Sequence, residues 1–470
     1  MPSKTGRNLN STARRSDIRR NTMGHNHAFY AWPRDRRGAT VALFGVTASI
    51  ALGFVGLATE GGSWYLTRRD AQNAADVAAH VGAMRLAYTA DALGYTVASQ
   101  RAHAVAAARD TATGNGFTHA QAATRVIVNI PPTTGPQAGN TGAVEVIVER
   151  DRARLISRIF VANGLQQIGA RAVAAVQNDG PACLVGGVGT PLPSIGVSAS
   201  GSTNVQMPNC AAASNAISSE AIRVGNAATL DALALVSAGG CLGCEGNVTT
   251  NALPATNPFI ALDRKTLPTF TNANCFSGPI PRNGTVNSSI TINPPPAGQA
   301  ICALDIRGAN TVVTLTPGVY HFYDAAFNVT SGNVRCPACR PGNGITMVFT
   351  GVNALGPQIN ANATVTLVGG SASDPDYAGI LFFRDPRART GDQGNPPVQI
   401  NGGIATSLTG GMYFPNAQVR YSGNSGNSLC SVLVGGTVVM TGNSGLSTTG
   451  CEDLGLGGIA PQTRVVRLVE

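Results

Sequence analysis

The sequence predicts a single transmembrane helix extended into a long helix, then a small α+β domain, then a mostly-β, disulfide-braced, β-helix-like solenoid. Three observations predict this fold class. An uncharged run follows a basic N-terminal tail, and an alanine-rich stretch without proline follows that run. Short β-branched runs separated by Gly and Asn then fill the rest of the chain, which also holds all ten cysteines.

The net charge of +9 is concentrated in the tail. Residues 1–37 hold nine basic and two acidic side chains, whereas the rest of the chain holds 24 basic and 22 acidic ones. A folded basic domain for nucleic acid is therefore not expected, and neither is a nucleic-acid partner. Only 12% of all residues are charged, well below the ~25% of average proteins. This composition argues against an ordinary cytosolic enzyme.

The uncharged run covers residues 39–59, 21 residues in all. A helix of this length spans roughly 30 Å, the thickness of the hydrocarbon core. Because the basic residues precede it, the positive-inside rule places the tail (1–37) in the cytoplasm and everything after the anchor (38–62) outside. We expect a single-pass inner-membrane protein whose bulk is periplasmic or on the cell surface. A cleaved signal peptide and a buried core helix are the alternatives.

Residues 63–180 are expected to form a long helix and a small α+β unit. Alanine is the best helix former, and the stretch from Trp64 to about Asp110 predicts one helix that ends near Gly114. Three strands and one short helix should follow: strands over Arg125–Ile130, Ala143–Glu149 and Gln167–Gln177, and the helix over Asp151–Gly164.

Residues 181–470 contain short runs such as TVVTLTPGVYHF and ATVTLVGG, separated by Gly and Asn. Gly and Asn supply the positive φ angles that tight corners need. Many short strands of this kind are typical of a solenoid, in which each coil buries its apolar face only against its neighbours. An irregular β-sandwich is the alternative, because no fixed period is visible.

An even number of cysteines confined to the exported part indicates disulfides. Neighbouring coils lie about 4.8 Å apart, within the ~4.4–6.8 Å between Cα atoms that a disulfide needs. The spacings therefore predict the bridges Cys183–Cys210, Cys275–Cys302 and Cys430–Cys451, with two local bridges, Cys241–Cys244 and Cys336–Cys339. For the two CxxC pairs, a zinc site and a redox motif are the alternatives.

Residues 36–86 resemble the N-terminal segment of TadG-like Flp (tight-adherence) pilus-assembly proteins. That segment has Arg-Gly, an apolar span, a Gly-Leu-Ala-x-Asp-x-Gly-x-Trp-Tyr motif and then Gln-Asn-Ala-Ala-Asp. The matching positions are Gly56, Leu57, Ala58, Gly62, Trp64, Tyr65, Gln72, Asn73, Ala74, Ala75, Asp76, Ala78 and Ala79. Phrases such as Gly411–Ala417 are similar to the β-rich C-terminal region of TadG-related proteins.

Three departures limit what the resemblance implies. Glu60 stands where the family usually has Asp, and no Glu stands five residues after Gly38, as it does in cleaved prepilins. The Asp-x-Ser-x-Ser metal motif of a von Willebrand A domain is also missing from the sequence. The resemblance therefore implies an uncleaved anchor, with neither a metal nor a cofactor.

The resemblance implies a structural or assembly component of a Tad/Flp-type pilus or adhesion apparatus, and not an enzyme. Its partners would be other pilus-assembly or TadE-like envelope proteins, bound through the Ala-rich helix and the solenoid face, with Asp76 of the family pattern as a candidate contact. A glycan-binding surface adhesin is one alternative. A polysaccharide-acting enzyme is the other, since paired carboxylates cleave glycosidic bonds and Asp374, Asp376, Asp385 and Asp392 form the densest acidic set.

Overall fold

The computed structural model describes residues 36–470 except 92–95, 162, 226, 277, 371–373, 391–396, 404–405, 424–429 and 453–455. Nearly all of the basic tail predicted for residues 1–37 thus lies outside the described residues. The chain divides into two compact units. Of the described residues, one unit comprises 36–62 and 155–161, and the other comprises 63–154 together with those after 162.

Two α-helices lie in the N-terminal part, α1 (Arg36–Asp91) and α2 (Val97–Gly114). The prediction of one uninterrupted helix to about Asp110 is therefore wrong, although α2 does end at Gly114 as expected. Thr96 has an extended backbone, and its hydroxyl caps the new helix that begins at Val97 by accepting a hydrogen bond from the backbone N–H of Ser99. Alanine favours helix on both sides of the break, so composition alone does not reveal where the helix is interrupted.

Helix α2 packs against α1 through small residues. The Cβ of Ala108 lies 3.2 Å from the point where a side chain on Gly82 would begin. Ala104, Ala108 and Ala112 recur every fourth residue and are buried, so they form one face of α2. A larger side chain on this face would push the two helices apart.

The strands follow in chain order. Those of the first part are β1 (Thr124–Asn129), β2 (Ala143–Ala153), β3 (Leu165–Gly186), β4 (Val197–Ala199), β5 (Asn204–Met207), β6 (Ala211–Ser214), β7 (Ile222–Val224), β8 (Thr229–Ala232), β9 (Leu235–Ser237), β10 (Cys241–Leu242) and β11 (Val248–Thr249). The later ones are β12 (Thr285–Val286), β13 (Ile290–Ile292), β14 (Asp305–Ile306), β15 (Val312–Leu315), β16 (Gly318–Tyr323), β17 (Phe327–Val329), β18 (Gly332–Arg335), β19 (Ile345–Thr350), β20 (Pro357–Ile359), β21 (Ala363–Val368), β22 (Ile380–Arg384), β23 (Val398–Gly402), β24 (Ser407–Gly423), β25 (Ser431–Thr441), β26 (Asn443–Gly445) and β27 (Gln462–Leu468). Short 3-10 helices cover Ser157–Ile159, Ile260–Arg264, Asn272–Asn274, Pro375–Tyr377 and Gly457–Ile459.

An antiparallel sheet contains the three strands predicted between residues 125 and 177. Strand β2 pairs with β1 and β3 on either side, and β27 pairs with the other edge of β3. The short helix predicted over Asp151–Gly164 is wrong, because β2 continues to Ala153 and only Ser157–Ile159 forms a 3-10 turn. The fourth strand, β27, comes from the far end of the sequence.

The remaining strands pair mainly in parallel. The sheets of a β-sandwich are antiparallel, so this pairing argues against the β-sandwich alternative. One ladder joins β16, β19, β22, β24, β25, β3, β6, β9 and β11 in that order. Its central column of partnered residues is Tyr320, Met347, Phe382, Met412, Leu433, Leu184, Ala212, Leu235 and Val248. Every member of the column is apolar or aromatic, so each strand covers the inner face of the next.

A second parallel ladder joins β12, β14, β17, β20, β23, β24, β25, β4, β7 and β10. In both ladders the late strand β25 pairs with early strands, namely β3 in the first and β4 in the second. The spatial order of the strands therefore differs from their order in the sequence. Strands from residues 285–441 come first, and strands from residues 182–249 continue from their end.

Five disulfides join the ten cysteines in the same pairs that the spacings predict. The Cα atoms are 5.6 Å apart in Cys183–Cys210, 5.4 Å in Cys275–Cys302 and 4.9 Å in Cys430–Cys451. Each CxxC pair closes on itself, as Cys241–Cys244 and Cys336–Cys339. The sulfur atoms that the zinc alternative requires as thiolates are thus engaged in local bridges.

Aromatic rings stack along the interior of the parallel strands. The ring centroids of Phe322 and Phe349 are 5.0 Å apart, and those of Phe349 and Phe382 are 6.4 Å apart. Phe414 continues the series at 6.3 Å from Phe382. All four side chains are fully buried, so Phe349 has an aromatic neighbour on both sides.

We expect Phe349→Ala to lower the free energy of unfolding by about 3–5 kcal/mol, because it removes a buried ring and leaves a cavity. Ile217→Ala is the matched control, since Ile217 lies in the same region but is 75% exposed, and it should cost less than about 0.5 kcal/mol. Denaturant unfolding of the full chain in detergent, followed by circular dichroism, measures both. Equal losses in the two variants would contradict the stacked core.

Candidate functional site

The first part of α1 exposes its apolar side chains. Among the described residues, one helix is long and apolar enough to cross a membrane, with a mean hydropathy of 2.1 in its most apolar window. None of that window is buried inside the molecule. Phe44, Leu52 and Phe54 are each more than two-thirds exposed. A segment of this kind is suited to lipid and not to water, so it indicates a single-pass membrane anchor.

Farther along α1, the alanines of the resemblance motif are buried. Ala74 and Ala75 of the Gln-Asn-Ala-Ala-Asp motif have no exposed surface. They pack in one cluster with valines of β2 and alanines of β3, including Val144, Val146 and Ala172. The chain's own sheet therefore covers this alanine face, and partner binding through the Ala-rich helix, which stays a prediction, would use the other faces of the helix. Small side chains are needed there because they let the helix approach the sheet closely.

The polar residues of the motif lie at the edge of this packed face. The side-chain amide of Gln72 donates to Asp76 Oδ1 at 2.6 Å and to the backbone carbonyl of Arg171 in β3 at 3.2 Å. The amide thus fixes α1 to the sheet, and Asp76 is half-buried beside it. Asn73 is exposed. Sequence reasoning gave Gln72 no structural role, and its position in the motif was the only indication of importance.

The aromatic pair of the motif faces outward. Tyr65 is 67% exposed, and Trp64 is partly exposed with the guanidinium of Arg154 at 5.6 Å from its ring. Such a pair of charge and ring is a cation–π contact. Apart from its own helical turn, no described atom lies within 4 Å of the position where a side chain on Gly62 would begin, so this side of the helix is open.

A polar cavity of about 210 Å³ opens beside the motif helix, lined by Thr67, Asp70, Asn73, Asn115, Gly116, Phe117, Arg150 and Arg152. Two contacts hold the guanidinium group of Arg150, which lines this cavity. Arg150 lies 4.1 Å from the centre of the Phe117 ring and donates to Thr124 Oγ1 at 2.9 Å. An exposed residue of the motif, Asn73, therefore lines the same cavity as two cationic side chains, those of Arg150 and Arg152.

A buried carboxylate connects distant parts of the antiparallel sheet. Glu145 is fully buried and accepts hydrogen bonds from Asn129 at 2.7 Å, from the backbone N–H of Thr133 at 3.2 Å and from Arg171 at 2.6 Å. Arg171 also forms an ion pair with Glu470. Burial alone raises the pKa of Glu145, but the hydrogen bonds from Asn129, Arg171 and Thr133 outweigh it and lower the pKa to about 2.

In the first unit, Glu60 holds the segment that begins at Leu155. Its side chain accepts hydrogen bonds from three successive backbone N–H groups, those of Leu155, Ile156 and Ser157, at 2.8–3.1 Å. The hydroxyl of Ser157 adds a fourth at 2.9 Å. The carboxylate is only 5% exposed, and these bonds satisfy it. The position where the sequence departs from the family motif is thus a structural contact.

Three carboxylates of the densest acidic set in the sequence form ion pairs. Lys265 binds Asp374 at 3.0 Å and also pairs with Asp376. Asp385 is nearly buried and pairs with Arg387 at 2.7 Å. Asp392 lies outside the described residues. These carboxylates serve local structure, and the structure gives no positive indication of catalysis by them.

Comparison with known families identifies the N-terminal segment. Residues 38–85 match the model of the Tad family, described as Flp pilus-assembly TadE/G-like. These residues form a TadE/G-like Flp pilus-assembly domain. The domain coincides with the long apolar helix α1 and contains all the motif residues from Gly56 to Asp76. No curated protein and no solved structure matches the chain.

The match supports a role as a pilus-assembly component. Within the TadE/G-like domain, the apolar half is exposed and the alanine-rich half is packed on the antiparallel sheet. The domain therefore has three kinds of residue: apolar residues suited to lipid, alanines that pack the helix on the sheet, and a few exposed polar and aromatic residues of the motif.

We expect Ala75→Leu to destabilise the packed half of the TadE/G-like domain by about 1–3 kcal/mol, because a larger side chain overpacks a filled helix–sheet contact. Asn73→Leu, two residues away on the exposed face, should change stability by less than about 0.5 kcal/mol. Thermal unfolding of the full chain in detergent, followed by helical circular dichroism, measures both. A stable Ala75→Leu variant would show that the alanine face is not closely packed.

The buried carboxylate predicts a dependence of stability on pH. Since the pKa of Glu145 is about 2 in the folded chain and about 4.3 in an unfolded one, its contribution is fully present above the unfolded value. The contribution is lost as the pH falls toward 2. Glu145→Gln should flatten this part of the stability profile, as measured by denaturant unfolding at several pH values. Glu149→Gln, which leaves every Glu145 contact intact, is the control and should keep the slope.

Proposed function

We propose that the chain is a membrane-anchored structural or assembly component of a Tad/Flp-type pilus or adhesion apparatus, acting through protein–protein contacts in the cell envelope. One observation carries the proposal. The residues that match the TadE/G-like family coincide with a helix whose first half is exposed and apolar. Its partners would be other pilus-assembly or TadE-like envelope proteins.

We propose the topology that the charge pattern predicts. The basic tail (1–37) lies in the cytoplasm, the anchor (38–62) crosses the inner membrane, and the helix with its α+β unit (63–180) and the β-rich region (181–470) lie outside. The position of the disulfides supports this orientation, because all five lie after residue 180 and disulfides persist in oxidising compartments.

The boundary near residue 180 is supported by the change in pairing along β3. Up to Pro181 this strand pairs with antiparallel neighbours, and from Ala182 it pairs in parallel. We propose that the parallel strands beyond this point are the coils of a solenoid. Their columns of apolar partners support that architecture, since a coil buries its inner face only against the next coil.

We propose that the exposed residues of the motif provide the partner contacts. Asn73 and Tyr65 are exposed, and Asp76 is half-buried at the edge of the same helix. The alanine face is excluded from this role because the antiparallel sheet covers it. Partner recognition would then rest on polar and aromatic positions of the motif and on the outer surface of the solenoid.

Reporter fusions test the topology. Alkaline phosphatase fused after residue 180 should be active because it reaches the periplasm, whereas the same reporter fused after residue 37 should be inactive. The reverse pattern would contradict the proposed orientation.

Pilus counts test the function. Deleting the gene in its native host should abolish or sharply reduce surface pili, and the full chain should restore them. A variant carrying Asn73→Ala and Asp76→Ala should be produced and anchored but restore pili poorly. Normal piliation in the deletion strain would contradict a role in assembly.

A further inference from the structure

The segment from Leu155 to Val161 exposes an unusual amount of apolar surface. Leu155 is 69% exposed, while Ile159 and Phe160 are each 75% exposed. The segment carries one charged side chain, Arg158, which is also exposed. Exposing a large ring and two branched aliphatic side chains to water is unfavourable in free energy. This surface is therefore expected to contact another apolar phase or molecule.

This segment belongs to the same compact unit as the start of α1. Glu60 accepts the backbone N–H groups of Leu155, Ile156 and Ser157. One turn earlier, the side chain of Ile156 lies 2.9 Å from the point where a side chain on Gly56 would begin. The glycine is therefore needed for the close approach, and the segment lies beside the helical turn from Gly56 to Glu60.

That turn is the end of the uncharged run. Residues 39–59 are long enough to span the ~30 Å hydrocarbon core as a helix, so residues 56–60 lie at its outer boundary with the lipid headgroups. An ionised carboxylate at this depth requires hydrogen-bond donors. The three N–H groups and the Ser157 hydroxyl supply them to Glu60.

We propose that residues 155–161 insert into the outer interfacial layer of the bilayer and form a second, shallow anchor held beside the transmembrane helix by Glu60. The proposal rests on the proposed membrane anchoring of α1. Lipid is the occupant because the apolar surface is continuous with the membrane-spanning segment, and because a ring with aliphatic neighbours and a single cation suits the boundary between acyl chains and anionic headgroups.

Depth-dependent quenching tests the proposal in the full chain. Phe160→Cys is labelled with an environment-sensitive fluorophore, and the protein is reconstituted into vesicles of phosphatidylethanolamine and phosphatidylglycerol. The ten native cysteines do not react because they are paired in disulfides. Ser288→Cys, at an exposed position in the β-rich region, is the matched control.

We expect spin-labelled lipid to quench the label at position 160 several-fold more than the label at position 288, and aqueous iodide to do the opposite. Iodide quenching at 160 equal to that at 288 would overturn the proposal. Protection of position 160 from both quenchers would also overturn it, because a protein would then cover the segment.

Flotation separates this proposal from the proposed function. If the chain fails to float with the vesicles after carbonate washing, the membrane anchor itself is wrong. If it floats but position 160 stays in water, only the shallow anchor is wrong.

Glu60→Gln tests what holds the segment in place. Loss of the negative charge should weaken the contact with the three N–H groups, reduce lipid quenching at 160 and speed trypsin cleavage after Arg158. Asp70→Asn, on an exposed position of the same helix, should leave both measurements unchanged. Unaltered quenching in Glu60→Gln would show that the carboxylate does not position the segment.

Discussion

The parallel pairing of β25 with β3 and β4 is the contact on which the β-rich region depends. It joins strands from residues 285–441 to strands from residues 182–249, so two stretches of chain share one continuous set of ladders. Along these ladders, apolar residues of one strand lie in register with apolar residues of the next. Without this pairing, the apolar faces of Leu184 and Leu433 would be left uncovered, although both are fully buried in the structure.

The pairing of β25 with β3 also brings the C-terminal end of the chain back to β3. After β25 and β26 the chain returns to residues 174–181 of β3, where β27 completes the antiparallel sheet. The side chain of Glu470 then reaches Arg171, which also binds the buried Glu145. The antiparallel sheet is thereby tied to the C-terminal end of the chain in two ways: β27 pairs with β3, and Glu470 joins the charged network of Arg171 and Glu145.

The TadE/G-like domain combines two requirements in one helix. Its first half is apolar and exposed, as a segment suited to lipid must be, and its second half presents small residues to a sheet and polar residues to water. Gln72 marks the border of the packed face by donating to the backbone of β3. Gly56 and Glu60 belong to the transition between the halves, where a segment distant in sequence contacts the helix.

The sequence was sufficient to predict the features that depend on neighbouring residues. The helix-forming alanines, the three strands of the α+β unit, the cysteine pairs and the β-rich composition after residue 180 were predicted because propensity and spacing act locally. The helix interruption at Thr96 and the 3-10 turn at Ser157 were missed. The hydroxyl of Thr96 caps α2, and the carboxylate of Glu60, distant in sequence, accepts hydrogen bonds from Ser157.

The sequence by itself determined the membrane-suited helix, the disulfide pairs and the kind of strand that fills the β-rich region. Only the tertiary structure decided the order in which the strands stack, the return of β27 to the first sheet and the burial of the alanine face. The physical reason is that parallel strands of similar apolar pattern can pair in many orders. The choice among them depends on how whole faces cover one another, which no local pattern records.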